Sequence, residues 1–114
     1  MLKFTVSLLI LSVTLAWPAL GEPDLKRGRE IFDQMCAGCH GYAGDGGAGH
    51  RGGFSPHPSN LAQKEYMDGL TDQYLMLVIK KGGMYVGKIA NMPAWEKRLT
   101  DAEIRDIIAH IRRF

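Results

Sequence analysis

The 114-residue chain predicts an all-α fold of about four helices. Apolar residues recur at spacings of three and four in several segments, which places them on one face of a helix. No segment shows a convincing alternation of apolar and polar residues, and glycine pairs or runs separate the helical patterns. Because no internal repeat is visible, residues 22–114 are expected to form one small domain with a thin core.

The N-terminus has the pattern of a secretory signal peptide. Lys3 supplies a positive charge, residues 4–16 form an almost unbroken apolar run, and Ala19 and Gly21 are small residues where a signal peptidase cleaves. We predict that residues 1–21 are a signal peptide, cleaved after Gly21. An uncleaved anchor is the alternative, although the run is short for a membrane span and Trp17-Pro18 ends it. No other segment is apolar enough to span a membrane.

The first helix is predicted to begin after Asp24, which can cap it. Its apolar face carries residues spaced by three and four, namely Leu25, Gly28, Phe32 and Met35. The next segment, residues 41–58, is rich in glycine and is predicted to be a loop. A loop at this position is expected to wrap around a group bound at the end of the first helix.

Two further helices are predicted in the middle of the chain. Asn60 is expected to cap a short helix that runs to about Gly69. Thr71 begins a second helix whose apolar residues are Tyr74, Leu75, Val78 and Ile79. The pair Gly82-Gly83 is expected to stop it.

The last helix has the clearest signal. Thr100 and Glu103 form a capping box, and the residues that follow repeat at i, i+3, i+4 and i+7, namely Ile104, Ile107, Ile108 and Ile111. This apolar stripe needs a partner. Gly28 offers a notch where two helix backbones can approach closely, so the two terminal helices are expected to cross there.

The sequence Cys36-Ala37-Gly38-Cys39-His40 is an attachment motif for a c-type haem. Two thiols at this spacing can form thioethers with the two vinyl groups of one porphyrin, and the following imidazole is then held beneath the ring as an axial ligand of iron. A zinc site needs more ligands than the chain supplies in any finger-like spacing, and a thioredoxin-like dithiol needs a preceding strand. One motif therefore predicts one covalent haem c with its iron.

The second axial position requires another residue if the iron is closed to small ligands. Methionine sulfur is a common choice and raises the reduction potential. Met92 is our prediction, because it lies in a loop between helices and Pro93 stiffens the backbone beside it. Met84 is the second choice, and a bis-histidine haem that uses His50 or His57 is a further alternative.

Three segments in this order and spacing resemble a small monohaem class I cytochrome c of bacterial type, and the resemblance spans essentially the whole chain after residue 21. They are Cys36-x-x-Cys39-His40, then Asn91-Met92-Pro93-Ala94-Trp95, then Leu99-Thr100-x-x-Glu103-Ile104 with a helix that ends Ala109-His110-Ile111-Arg112.

The resemblance implies a cytochrome c fold around one covalent haem, with Cys36 and Cys39 as thioether donors and His40 and Met92 as axial ligands. It further implies that Pro58, or else Pro56, supplies the carbonyl that orients the axial histidine, that Leu61 lines the haem pocket, and that Gly28 and Phe32 meet the last helix. His110 departs from the family, which usually has an aromatic residue there, and we expect it to be a partly exposed histidine at the helix border.

The function that these features predict is one-electron transfer in the periplasm, without catalytic residues. A subunit of a larger oxidoreductase and a sensor that binds a small ligand at the iron are the alternatives. The formal net charge of +2 disfavours bulk nucleic-acid binding. We expect a monomer that exchanges electrons with donor and acceptor proteins. The Met92 loop is flanked by cations, namely Lys80, Lys81, Lys88, Lys97 and Arg98. They indicate either acidic docking surfaces on those partners or an ordinary solvated surface.

Overall fold

The computed structural model describes residues 21–53, 55–88 and 91–114, with the side chain of His50 outside the description. Residues 1–20, which hold most of the predicted signal peptide, also lie outside it. In the described ranges the chain forms helices and no strand, which confirms the all-α prediction. The elements are α1 (Leu25–Met35), α2 (Ala37–His40), α3 (Gly47–Arg51), α4 (Lys64–Asp68), α5 (Asp72–Lys81), a 3₁₀ helix (Gly83–Val86) and α6 (Asp101–Ile111).

The helices outnumber the four that were expected, and two predicted boundaries were wrong. The glycine-rich loop contains the short helix α3, so residues 41–58 are not loop throughout. Asn60 does not cap α4, because its side-chain oxygen accepts a hydrogen bond from the Ala62 amide, 2.9 Å away. Residues in this local turn cannot also form the first turn of a helix, so α4 begins only at Lys64.

The terminal helices α1 and α6 cross at Gly28, as predicted. A Cβ atom at Gly28 would lie 2.1 Å from the Asp106 carbonyl oxygen, so only a glycine permits this approach of the two backbones. Phe32 from α1 and Ile104 and Ile107 from α6 are buried around the crossing. Burial of such side chains contributes roughly 1.5–3 kcal/mol each, which makes this contact a main source of stability.

Asp106 fastens the start of α1 to the middle of α6. Its side chain is 3% exposed, and one carboxylate oxygen accepts a hydrogen bond from the Asp24 amide at 2.8 Å. The other oxygen accepts from the guanidinium of Arg27, which is half exposed. The buried charge therefore has both a backbone and a charged partner, as a buried carboxylate requires.

The helices α4 and α5 complete the core and are held to α6 by Arg112. The guanidinium of Arg112 donates to the carbonyl oxygens of Met67 and Leu70, each at 2.6 Å, and also to the carboxylate of Asp72. Thr71 caps α5 through the Tyr74 amide, and the predicted capping box at Thr100 is confirmed in both directions. The C-terminal turn thereby fixes the connection between α4 and α5.

His110 is partly exposed in the last turn of α6, as expected, and its ring also lies in an aromatic cluster. Its ring centroid is 5.3 Å from that of Phe32 and 5.0 Å from that of Phe114. Its Nε2 atom is buried without a hydrogen-bond partner in the part of the chain that the structure describes. The ring thus replaces an aromatic residue in packing.

Candidate haem site

Cys36, Cys39 and His40 lie on one compact turn at the end of α1. The Cys36 amide still donates to the Phe32 carbonyl of α1, at 2.8 Å, and the chain then turns into α2. The amides of Cys39 and His40 both donate to the Cys36 carbonyl, at 3.2 and 2.9 Å. Both cysteines are free and half-buried, so two thiols and an imidazole are available side by side.

Burial governs the protonation of these groups. It raises the pKa of the Cys36 thiol to about 11, with a smaller contribution from Cys39. Burial also lowers the pKa of His40 below its usual value of 6.5, although a contact with the Ser59 carbonyl opposes this effect. A neutral imidazole is the form that binds a metal.

The carbonyl that orients His40 belongs to Ser59. The His40 Nδ1 atom lies 3.3 Å from the Ser59 carbonyl oxygen. The structure thus corrects the assignment of this role to Pro58, because the contact comes from the next residue. Since a carbonyl oxygen only accepts, Nδ1 carries the proton in this contact and Nε2 keeps its lone pair for a metal.

The glycine-rich segment holds residues 58–61 against the haem motif. The Gly46 amide donates to the His40 carbonyl and the Leu61 amide to the Gly44 carbonyl, both at 2.7 Å. A Cβ atom at Gly49 would lie 2.4 Å from the Pro58 ring and 2.8 Å from the Cys39 carbonyl oxygen. Pro58 therefore packs closely against Gly49, and Leu61 is half-buried.

Met92 lies on a separate segment that is anchored to the end of α5. Its carbonyl accepts a hydrogen bond from the Gly83 amide at 2.9 Å, and the Trp95 amide donates to the Ile79 carbonyl at 3.0 Å. The Met92 side chain is half-buried and packs against the core. These contacts fix the segment to α5, and none of the described hydrogen bonds joins it to His40.

The other methionines are less suited to ligation. Met67 is 4% exposed within the core, whereas Met84 is 71% exposed on the 3₁₀ helix. Met35 directly precedes Cys36 in the chain, and both Met35 and Met76 pack against the core. Among the alternatives to methionine, the His57 side chain is exposed.

The described residues fit a large apolar group. Several apolar side chains pack against the core yet stay only partly buried, which leaves apolar surface for a ligand to cover: Met35, Leu61, Leu70, Met76, Met92 and Trp95. Met35 directly precedes the turn that carries the two free thiols and half-buried His40. Thiols, an imidazole and an apolar wall are the donor set and surroundings that a c-type haem requires.

Two contributors to the site are absent from the sequence prediction. Ser59 acts through its backbone carbonyl, which leaves no residue-type signal in a sequence. The Tyr66 hydroxyl on α4 lies 3.4 Å from the Ser59 hydroxyl, and a lone tyrosine in a short helix has no distinctive sequence pattern.

Comparison with known proteins assigns the chain to a family. Residues 23–111 match the family described as cytochrome C oxidase, cbb3-type, subunit III. The chain is 33% identical to cytochrome c6 of Chlorolobion braunii and 34% identical to cytochrome c6 of Bryopsis maxima. These alignments cover 79% and 77% of this chain, and 90% and 89% of those proteins.

A longer relative is similar over the same part of the chain. The Cbb3-type cytochrome c oxidase subunit FixP of Bradyrhizobium diazoefficiens is 33% identical over 77% of this chain, but that alignment spans only 27% of the relative. The family match covers all of the described helices and includes the Cys36-Cys39-His40 turn. The chain belongs to the cytochrome c family, with one covalent c-type haem as its cofactor.

Proposed function

We propose that the haem is held by Cys36 and Cys39 and that His40 and Met92 are its axial ligands. The observation that carries this proposal is the turn at the end of α1, where two free thiols adjoin a half-buried imidazole. Contact of Nδ1 with the Ser59 carbonyl leaves Nε2 to face a metal. The half-buried side chain of Met92 favours it over exposed Met84 as the second ligand.

The chemistry that a bound haem supplies is the exchange of one electron at its iron. The protein contributes position and exclusion of water. Cys36 and Cys39 fix the ring to α1 and α2, and Ser59 orients the His40 imidazole. The Met92 segment, anchored on α5, would hold the Met92 sulfur at the iron and exclude small molecules, so that the site would transfer electrons without binding a substrate.

The test is the visible spectrum of the reduced protein with and without carbon monoxide, for the wild type, Met92→Ala and the control Met84→Ala. We expect a low-spin haem that ignores carbon monoxide in the wild type and the control. Loss of the Met92 sulfur should leave one coordination position of the iron free, so Met92→Ala should be high-spin and bind carbon monoxide. A wild-type haem that binds carbon monoxide would instead support the sensor function, and an unchanged Met92→Ala would exclude Met92 as the ligand.

Export to the periplasm, with cleavage after Gly21, forms part of the proposal. The N-terminal pattern of charge, apolar run and small residues supports it. No helix in the described ranges is long and apolar enough to cross a bilayer. The intact mass of protein from the periplasmic fraction checks the cleavage: a mass for residues 22–114 plus one haem supports it, and a mass that retains residues 1–21 contradicts it.

Electron exchange with donor and acceptor proteins is the expected role, and we propose that the protein acts as a monomer. Ion pairing within the chain reduces the basic surface that could attract acidic partners. Lys80 contacts Asp101 at 2.8 Å and Lys81 contacts Glu96 at 2.7 Å. The Arg98 guanidinium lies 5.4 Å from the centroid of the Trp95 ring. Exposed Lys88 and Lys97 remain to steer a partner, so the rate of electron transfer should fall modestly as ionic strength rises.

A haem subunit of a larger oxidoreductase is the second candidate. It is favoured by the similarity to FixP, a subunit of a Cbb3-type cytochrome c oxidase. Size-exclusion chromatography of gently extracted native protein separates the two. Elution at the size of one domain supports the carrier, and co-elution of the haem with oxidase activity in a larger particle supports the subunit.

A further inference from the structure

Ser59 lies between His40 and a tyrosine that the haem motif does not include. Its carbonyl oxygen is 3.3 Å from His40 Nδ1, and its hydroxyl is 3.4 Å from the Tyr66 hydroxyl. Both contacts are partly buried, so water competes with them less than it would at the surface. One residue thus joins the proposed axial ligand to α4.

Tyr66 is a firm attachment point because α4 is fixed on the opposite side. The next residue, Met67, is 4% exposed in the core, and its carbonyl accepts from the Arg112 guanidinium at 2.6 Å. The Tyr66 ring itself packs against the core. The contact between Tyr66 and Ser59 therefore links Ser59, through α4, to α6 and the core.

The other side of Ser59 is limited by the glycine-rich segment. A Cβ atom at Gly46 would lie 2.7 Å from the Pro58 carbonyl oxygen, and one at Gly49 would lie 2.4 Å from the Pro58 ring. The Leu61 amide is bonded to the Gly44 carbonyl at 2.7 Å. The glycine-rich segment thus contacts residues 58 and 61. At residue 59, the side-chain contact is with Tyr66.

We infer that Tyr66 is a positioning residue for the axial histidine and that its hydroxyl, acting through Ser59, helps to set the reduction potential. A hydrogen bond from Nδ1 to a carbonyl makes the imidazole a stronger electron donor, which stabilises oxidised iron and lowers the potential. When the Tyr66 tether is lost, Ser59 samples more positions and the average bond to His40 weakens. The potential should then become more positive. This inference rests on the proposed ligation by His40.

The test is a double-mutant cycle on the haem-loaded protein, with the midpoint potential as the readout. Tyr66→Phe removes one hydroxyl, and Ser59→Ala removes the other while it keeps the carbonyl. Both variants should shift the potential in the positive direction by equal amounts, and the double variant should shift no further, since the two changes delete the same contact. Tyr74→Phe is the matched control, because Tyr74 is also half-buried against the core, and its potential should equal that of the wild type.

The visible spectrum distinguishes failure of this inference from failure of the proposed ligation. If the wild type and all three single variants are low-spin but their potentials agree, Tyr66 has no positioning role while the ligation stands. Additive shifts in the double variant, or an equal shift in Tyr74→Phe, would also overturn the inference. A His40→Ala variant that retains the wild-type spectrum would overturn the ligation itself.

Discussion

Asp106 carries a charge enclosed between the terminal helices, and its replacement tests how far this contact stabilises the fold. Asp106→Ala removes the partner of the Asp24 amide and of Arg27. Because Arg27 is half exposed and can regain water, we expect a loss of about 2 kcal/mol in the free energy of unfolding. Denaturant unfolding of the haem-loaded protein measures it.

Asp68→Ala is the matched control for Asp106. Its carboxylate meets Lys64 at 2.7 Å, but the side chain is 60% exposed. An exposed pair of this kind contributes less than about 1 kcal/mol. Equal losses in the two variants would mean that burial of Asp106 between the helices adds nothing.

His110 should make stability depend on pH. Burial lowers its pKa in the folded protein below the usual 6.5, an effect that Asp33 partly opposes. The unfolded chain therefore binds a proton more readily, and stability should fall as the pH drops below about 6.5 towards the folded-state pKa.

The variant His110→Phe isolates this effect. It keeps an aromatic ring against Phe32 and Phe114 and removes the titrating group. Between about pH 7 and about pH 5, its melting temperature should fall less than that of the wild type. Parallel curves for the two proteins would show that other groups cause the pH dependence.

The crossing of α1 and α6 depends on the absence of a side chain at Gly28. In Gly28→Ala, the new Cβ would lie 2.1 Å from the Asp106 carbonyl oxygen, so the helices must separate. We expect a loss of about 3 kcal/mol or more, because backbone cannot move aside as a flexible side chain can. Thermal or denaturant unfolding checks this.

Gly69→Ala is the control for the glycine at the crossing. Its added Cβ would meet the nearest backbone oxygen at 3.4 Å, an ordinary contact. We expect its stability to change by less than about 1 kcal/mol, in either direction. A comparable loss in both variants would indicate a general intolerance of alanine instead of a steric requirement at the crossing.

Long helices with apolar periodicity and caps could be predicted from the sequence, whereas short ones could not. The isoleucine stripe and the Thr100 capping box placed α6 correctly, and Gly82 ended α5 as expected. Helices α2 and α3, of four and five residues, are too short to show a period. Asn60 misled the prediction because its side chain can cap a helix or close a local turn, and only the fold around it selects the turn.

The site residues show the same contrast between what could and could not be predicted from the sequence. The Cys36-Cys39-His40 turn was predictable because attachment chemistry demands those residue types at that spacing. The role given to Pro58 shifted to Ser59, since a backbone carbonyl contact depends on the path of the chain and not on the side chain that marks it. Tyr66 contacts Ser59 from α4, a helix whose first residue was predicted wrongly.

Across the whole molecule, the terminal helices form a closed core while partly buried apolar side chains remain for the haem to cover. Phe32, Ile104 and Ile107 are the largest fully buried side chains, and all belong to the α1–α6 crossing. Leu61, Met92 and Trp95 are only half-buried, on segments that are hydrogen-bonded to Gly44, to Gly83 and to α5 respectively. The haem should therefore complete the core, and its loss should destabilise the protein.

A potentiometric titration of the purified protein, followed by its visible spectrum, tests the central claim most directly. A single haem closed by two axial ligands should give one reversible one-electron transition between two low-spin spectra. A high-spin spectrum in either state, more than one transition, or the absence of any haem signal would contradict the account of a one-haem electron carrier.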